Sequence, residues 1–383
     1  MLHNNRFNNI SLSILVTFLS LVPTQILYAD KHSHTMGYQV HNLVSNIQGK
    51  ADFTDPDLVN AWGVAFNPDG VVWVNDGGTG KSTLYDGDGI KQPPPPLPPL
   101  VVTIPGPADG AKPTGIVYFG GSKDFKIDGN PSRFIFATET GRIAGWAPVP
   151  QSPPPTTATG MVDNSATGAI YKGLALSADG NRYLLYATDF HNAKVDVFDG
   201  AFKSVPLASG AFKDPKIPSG FAPFGIQAIN GVIFVTYAKQ DEDKEDDVAG
   251  RGLGYINAFD ASGHLLHRVA GGGKLNAPWG VAMAPANFGE FSNRLLVGNF
   301  GDGSVIAYSP NRHRHNPGTR LRQANGSPLQ IDGLWGISFG NGLQKQATNA
   351  LFFAAGPNGE ADGLYGKIEA VSSQQPDDNA NDD

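Results

Sequence analysis

WGVAMAPANFGEFSNRLLVGNFGDGSVIAYS, from Trp279 to Ser309, contains three short apolar runs separated by turn residues. Bounded by Gly, Pro, Asn and Asp and rich in aliphatic and aromatic side chains, the runs read as three consecutive antiparallel strands. The phrase that opens the stretch, a bulky residue followed by Gly and an aliphatic, recurs along the chain. It stands at Trp62-Gly63-Val64, Thr114-Gly115-Ile116, Lys172-Gly173-Leu174, Phe224-Gly225-Ile226, Trp279-Gly280-Val281 and Trp335-Gly336-Ile337. Successive glycines lie 52 to 58 residues apart. Each is followed by a second run (VVWVND, RFIFATE, YLLYATD, VIFVTYA, RLLVGNF, LFFAAG) and by a third (STLYD, RIAGWA, AKVDVFD, GYINAFD, SVIAYS, YGKIEAV).

A repeat of this length, built from strands, is the signature of propeller blades. The chain is therefore expected to be all-β and to form one six-bladed β-propeller over residues 38–372. The repeated glycine has a steric reason: inner strands crowd about the axis, and a residue without Cβ lets neighbouring backbones approach. Fourth, outer strands are visible for three units, in VVTIP, HLLHRVA and TRLRQA. The sixth unit runs out of chain after Val371, so Tyr38 to Val44 is expected to pair there and close the ring without an open sheet edge. Two proline runs, KQPPPPLPP at Lys91 and PVPQSPPP at Pro148, are expected as stiff loops on the face opposite the site, or as polyproline ligands for a partner.

Composition agrees with this reading. Forty-eight glycines and 29 prolines suit many tight turns, and the absence of cysteine removes disulfides, thiol nucleophiles and thiolate metal sites. A net charge of −7 provides no field for phosphate backbones, so nucleic acid is not an expected partner. Arg6 followed by the apolar run Ile10 to Val22, too short to span a bilayer, reads as a signal peptide over residues 1–29 cut near Ala29. Residues 30–37 then form a linker, and the acidic end, 373–383, is expected to be disordered. The expectation is a secreted or periplasmic protein with no membrane span.

The blade phrases, such as ATDFHNAKVDVFD, resemble NHL-type six-bladed propellers. NLVSN, NAWGVAF, APFGIQAI, YAKQDEDKEDDVAG, GEFSNRLLVGNFGDG and LWGISFGNG resemble an uncharacterised family of secreted bacterial NHL-like propeller proteins, some ending in a PEP-CTERM sorting signal. The resemblance implies the fold and brings no activity. This chain has no hydrophobic, basic sorting tail, so it is expected to be soluble.

Strands alternate direction, so the loops entering the inner strands and the second-to-third turns emerge on one face of a propeller. That face would collect Asn60, Trp62, Thr114, Lys172, Phe224, Trp279 and Trp335 with Asn75, Asp76, Glu139, Asp189, His191, Tyr237, Asn299 and Asn358. The ligand-binding set expected here is Trp62, Lys172, Phe224, Trp279, Trp335, Asp76, Glu139, Asp189, His191 and Asn299. The tryptophans either stack on a ligand or plug the channel as core. Lys172, beside the axis, needs Glu139, Asp189 or a ligand anion to offset its desolvation.

Six carboxylates and two lysines lie between Lys239 and Asp247. Asp241, Asp243 and Asp246 offer the hard oxygens that calcium takes, but an EF-hand needs Gly where Asp246 stands and Glu where Gly252 stands. The alternatives are a non-EF calcium site and a solvated loop. DGGTGKST at Asp76 misses the phosphate-loop template at its first Gly, and no G-x-S-x-G occurs. The pairs His32/His34 and His313/His315 lack a third ligand for zinc.

Two functions follow. The first is a monomeric binding or scaffold protein whose channel mouth takes a small polar ligand or an extracellular protein. The second follows from analogy with the six-bladed gluconolactonase and regucalcin family. It is a metal-dependent lactone or ester hydrolase, with a divalent ion held by Asp76, Glu139, Asp189, Asn299 and Asn358.

Overall fold

The computed structural model describes residues 36–148, 153–180, 182–310 and 316–372. The expected signal peptide, most of the expected linker, both histidine pairs and the acidic end lie outside the described residues. Among those described there is no α-helix, only two single 3₁₀ turns at Ser165–Thr167 and Gly289–Phe291. No helix is long and apolar enough to cross a membrane.

Six mainly antiparallel sheets follow one another in chain order, with a separate two-stranded ribbon of Lys126–Ile127 and Asn130–Pro131. Their inner strands are Ala61–Phe66, Pro113–Tyr118, Tyr171–Asp179, Phe221–Ile229, Pro278–Met283 and Leu334–Phe339, each carrying one repeat glycine. We number the blades one to six in that order. In all six the ladder with the second strand shifts register next to the repeat glycine. The bulge turns that stretch of backbone toward the neighbouring blade. A Cβ added to Gly63, Gly115, Gly173, Gly225, Gly280 or Gly336 would meet, at 2.9 Å or less, backbone at Thr114, Leu174, Phe224, Trp279, Trp335 or Trp62 respectively. The sixth glycine faces the first blade, so these close approaches form a closed circuit.

Apolar clusters fill the spaces between adjacent blades. Trp73 of blade one stacks on Phe134 of blade two at 4.1 Å, and Val72, Val74 and Tyr85 of blade one pack with Phe352 and Tyr365 of blade six. Met36–Ser45 runs antiparallel to Leu364–Ser372, the third strand of blade six, with Tyr38 opposite Ala370 and Val44 opposite Tyr365. Tyr38 is pinned further: its hydroxyl donates to Phe288 O (2.9 Å) and accepts from Phe291 N (3.2 Å), tying this strand to blade five.

The outer strands depart from the sequence reading in two places. Blade two has a fourth strand, Thr159–Asp163, beyond its proline run. Blade three has only three strands; the segment after it covers its edge irregularly, with Val205 N donating to Val197 O.

Candidate functional site

The floor of the channel mouth is aromatic. Trp62 and Trp335 are 1% and 2% exposed and stack at 3.8 Å, and Phe300 stacks on Trp335 at 3.9 Å. Phe224 lies 5.7 Å from Trp335 and Phe190 5.1 Å from Phe224. Trp62, Phe224 and Trp335 therefore fill the axis as core, while Trp279 remains half-buried, its indole Nε1 donating to Lys172 O at 3.0 Å. Phe190 and Phe300 were not anticipated. Each directly follows the Asp or Asn that ends a second strand, Asp189 or Asn299, and that shared repeat position was the available signal.

On this floor sits Lys172, only 2% exposed. Its Nζ lies 5.4 Å above the Trp62 ring and 6.0 Å from that of Phe190, a cation–π arrangement. It donates to Glu139 Oε1 and to Asp246 Oδ1, the latter at 2.9 Å. Burial opposes the charge, yet Glu139 and Asp246 outweigh it and hold the pKa above the ordinary lysine value. Glu139 belongs to the second-to-third turn of blade two, while Asp246 comes from the acidic loop of blade four and is 72% exposed.

Two further carboxylates complete the cluster. Glu360 of blade six accepts from Asn60 Nδ2 at 3.1 Å, and its pKa is raised by burial and by Glu139. Asp247 is pushed up to about 7 by burial, against the pull of Lys172 and with the repulsion of Asp246 and Glu360. One Asp247 oxygen, the Trp62 and Trp335 indole nitrogens and His191 Nδ1 are buried without a hydrogen-bond partner. Outside Lys172 a groove of about 350 Å³ opens between blades two, three and four, lined by Lys112, Glu139, Thr140, Ser165, His191 and Asp246 among others.

Several expected site residues serve elsewhere. Asp76 is fully buried beside Asp55, Asp57 and Lys91, and burial holds its carboxyl well above the usual range. That neighbourhood is a second polar cluster, in which Lys91 bridges Asp55 and Asp57 and Tyr85 donates to Asp55 at 2.7 Å. Asp189 accepts from Ile170 N, Asn192 N and Asn192 Nδ2, and Asn299 accepts from Asn276 N while donating to Lys274 O. Both brace the end of a second strand against the segment entering an inner strand, using the short-range reach of Asx side chains to backbone. Asn358 donates to Asp362.

The three loop carboxylates weighed as calcium ligands do not converge on one point. Asp241 accepts from Glu245 N within its own loop, Asp243 is exposed, and Asp246 bonds Lys172. Among the described residues no group of three or more His, Cys, Asp or Glu side chains is arranged to hold a metal ion. Neither Asp241–Asp243–Asp246 nor the Asp76–Glu139–Asp189–Asn299–Asn358 set forms a cage.

Similarity to other proteins bears on the fold and the lineage. No protein-family model matches the chain. An uncharacterised protein of Acanthamoeba polyphaga mimivirus is 31% identical over 343 residues, covering 86% of this chain and 80% of the relative. A second from the same virus is 30% identical over 343 residues, covering 86% and 85%. These relatives are viral, where the sequence resemblance implied bacterial ones. Among solved structures, a glucose dehydrogenase (TM-score 0.52, 14% identity, 88% of this chain and 100% of that one) and a streptogramin B lyase (0.51, 15%, 88% and 98%) share the fold. At such identities the likeness is one of architecture alone.

Proposed function

The chain belongs to one family with these two mimivirus proteins, and for this six-bladed propeller we propose a binding function: it takes a small polar ligand in the groove at the channel mouth. The observation that carries this reading is the buried ammonium of Lys172, whose two carboxylate partners, Glu139 and Asp246, both line that groove. A purely structural ion pair has no need of an adjoining cavity lined by Lys112, Thr140, Ser165 and His191, which can orient a polar molecule from several sides. The aromatic floor keeps water from Lys172 and strengthens each polar contact above it. On the strength of Arg6 and the apolar run Ile10 to Val22, the protein works after export, in the periplasm or outside the cell.

The test is a melting screen of the full chain against water-soluble acids, amines and sugars. A ligand at about a hundred times its Kd stabilises by ~2.7 kcal/mol. Hits should weaken in His191→Ala and Lys112→Ala, whose side chains line the groove. A screen without hits, or hits indifferent to both changes, removes the proposal.

One observation favours a hydrolase as second reading. Asp247, with an unpartnered oxygen and a pKa near 7, is poised for acid–base work at neutral pH. Turnover of lactones or esters that disappears in Asp247→Asn would support it, and a panel without turnover would retire it.

A further inference from the structure

Lys172 has two unequal partners. Glu139 is part of the scaffold, placed where Glu139 N donates to Lys112 O, and its side chain is 20% exposed. Asp246 is a surface residue reaching inward from a hairpin loop. The base of that loop is fastened by Gln240 Nε2 to Phe190 O (2.7 Å), and its arms by Asp241 N to Asp246 O and Val248 N to Lys239 O. Among the described residues the bond to Lys172 is the only hydrogen bond or ion pair that joins a side chain of the stretch 241–247 to another part of the propeller.

A buried ammonium has three donors and no acceptor, so it requires oxygens wherever they come from. The chemistry around it asks for the same thing. Trp62 and Trp335 are almost fully buried, and their indole N–H groups, which can only donate, lack an acceptor. Withdrawal of the loop tip would take Glu245, Asp246 and Asp247 with it. Asp109, Glu139 and Glu360 would then remain beside Lys172 and Lys112, and an incoming anion would replace charge of its own sign.

Resting on the binding reading above, we propose that Asp246 stands in the place of a ligand carboxylate: the ligand is a small organic acid that displaces the loop tip and takes over its bond to Lys172. The neighbouring groove, with Thr140, Ser165 and His191, would receive the rest of the molecule. In this arrangement the loop is a competitor carried by the protein itself, so its removal should raise affinity.

The experiment uses sodium benzoate and benzylamine as probes of opposite charge on one ring. Full-length wild type and Asp246→Ala are titrated with each, followed by melting temperature and tryptophan fluorescence. Reductive methylation of Lys172, read by peptide mass spectrometry, provides a signal that does not depend on a lysine variant folding. Benzoate is expected to bind Asp246→Ala at least tenfold more tightly than wild type and to protect Lys172 from methylation in that variant. Equal benzoate affinity in the two proteins, binding without protection of Lys172, no benzoate binding to Asp246→Ala, or a response to benzylamine instead would each overturn the proposal. If the melting screen returns cationic or neutral ligands sensitive to His191→Ala, the binding function stands and the organic-acid inference alone falls.

Discussion

Replacing Glu139 by Gln removes the fixed anion from an ammonium that is 2% exposed and leaves it with one surface carboxylate, Asp246, that is 72% exposed. Breaking a buried pair by removing one partner costs about 3–5 kcal/mol, and the amide oxygen left behind recovers part of this, so the net loss should be about 3 kcal/mol. The isosteric change on the other side, Asp246→Asn, touches an exposed partner and should cost under ~1 kcal/mol. For a propeller of this length the unfolding entropy is ~0.7 kcal/mol per degree. The two variants should therefore lower the melting temperature by about 4 °C and by about 1 °C or less. Differential scanning calorimetry at neutral pH and moderate salt measures both. A loss for Asp246→Asn equal to that for Glu139→Gln would refute the ranking of the two partners, and with it the view of Asp246 as a removable cap.

Gly225→Ala would drive a Cβ into Trp279 O, while the nearest atom to a Cβ at Gly160 is 3.9 Å away; the first change should prevent soluble folding or cost more than ~3 kcal/mol, and the second should stay within ~0.5 kcal/mol, as chemical denaturation can show. Asp247 titrates near 7 in the folded protein and near 4 unfolded, so the native state binds the extra proton between these values. Stability should therefore fall as pH rises from about 4 to 7, and Asp247→Asn should flatten that stretch of the profile; an unchanged slope would show that Asp247 is better hydrated than its burial implies. Because the loop carboxylates do not converge, calcium and EDTA should leave the melting temperature within a degree, and a calcium-dependent rise lost on deletion of Glu242 to Asp247 would reinstate the loop as a cation site.

How much of the site was legible varies residue by residue. Glu139 was one of three partners the sequence offered Lys172, with Asp189 and a ligand anion, because all lie on the face where strand-entering loops meet second-to-third turns; the choice among them came from the fold. The bond of Asp246 to Lys172 is not legible in the sequence, since an acidic loop looks the same whether its carboxylates are solvated, hold calcium or reach a lysine 74 residues away. Asp247 and Glu360 had no signal, because burial is the main cause of their raised pKa values and burial is created by the folded chain. Asp76, Asp189 and Asn299 share a repeat position at the ends of second strands, but burial takes Asp76 away from solvent, and bonds close by in the chain occupy Asp189 and Asn299.

The sequence by itself determined the number of blades, the place of each inner strand and the face on which function should be sought. It could do so because the demand for a residue without Cβ at every inner strand is local, steric and repeated. Only the tertiary structure decided which charges meet. That depends on where a loop tip from one blade lands relative to a lysine on the next, and on how much water remains between them, and neither quantity is written in the order of residues along the chain.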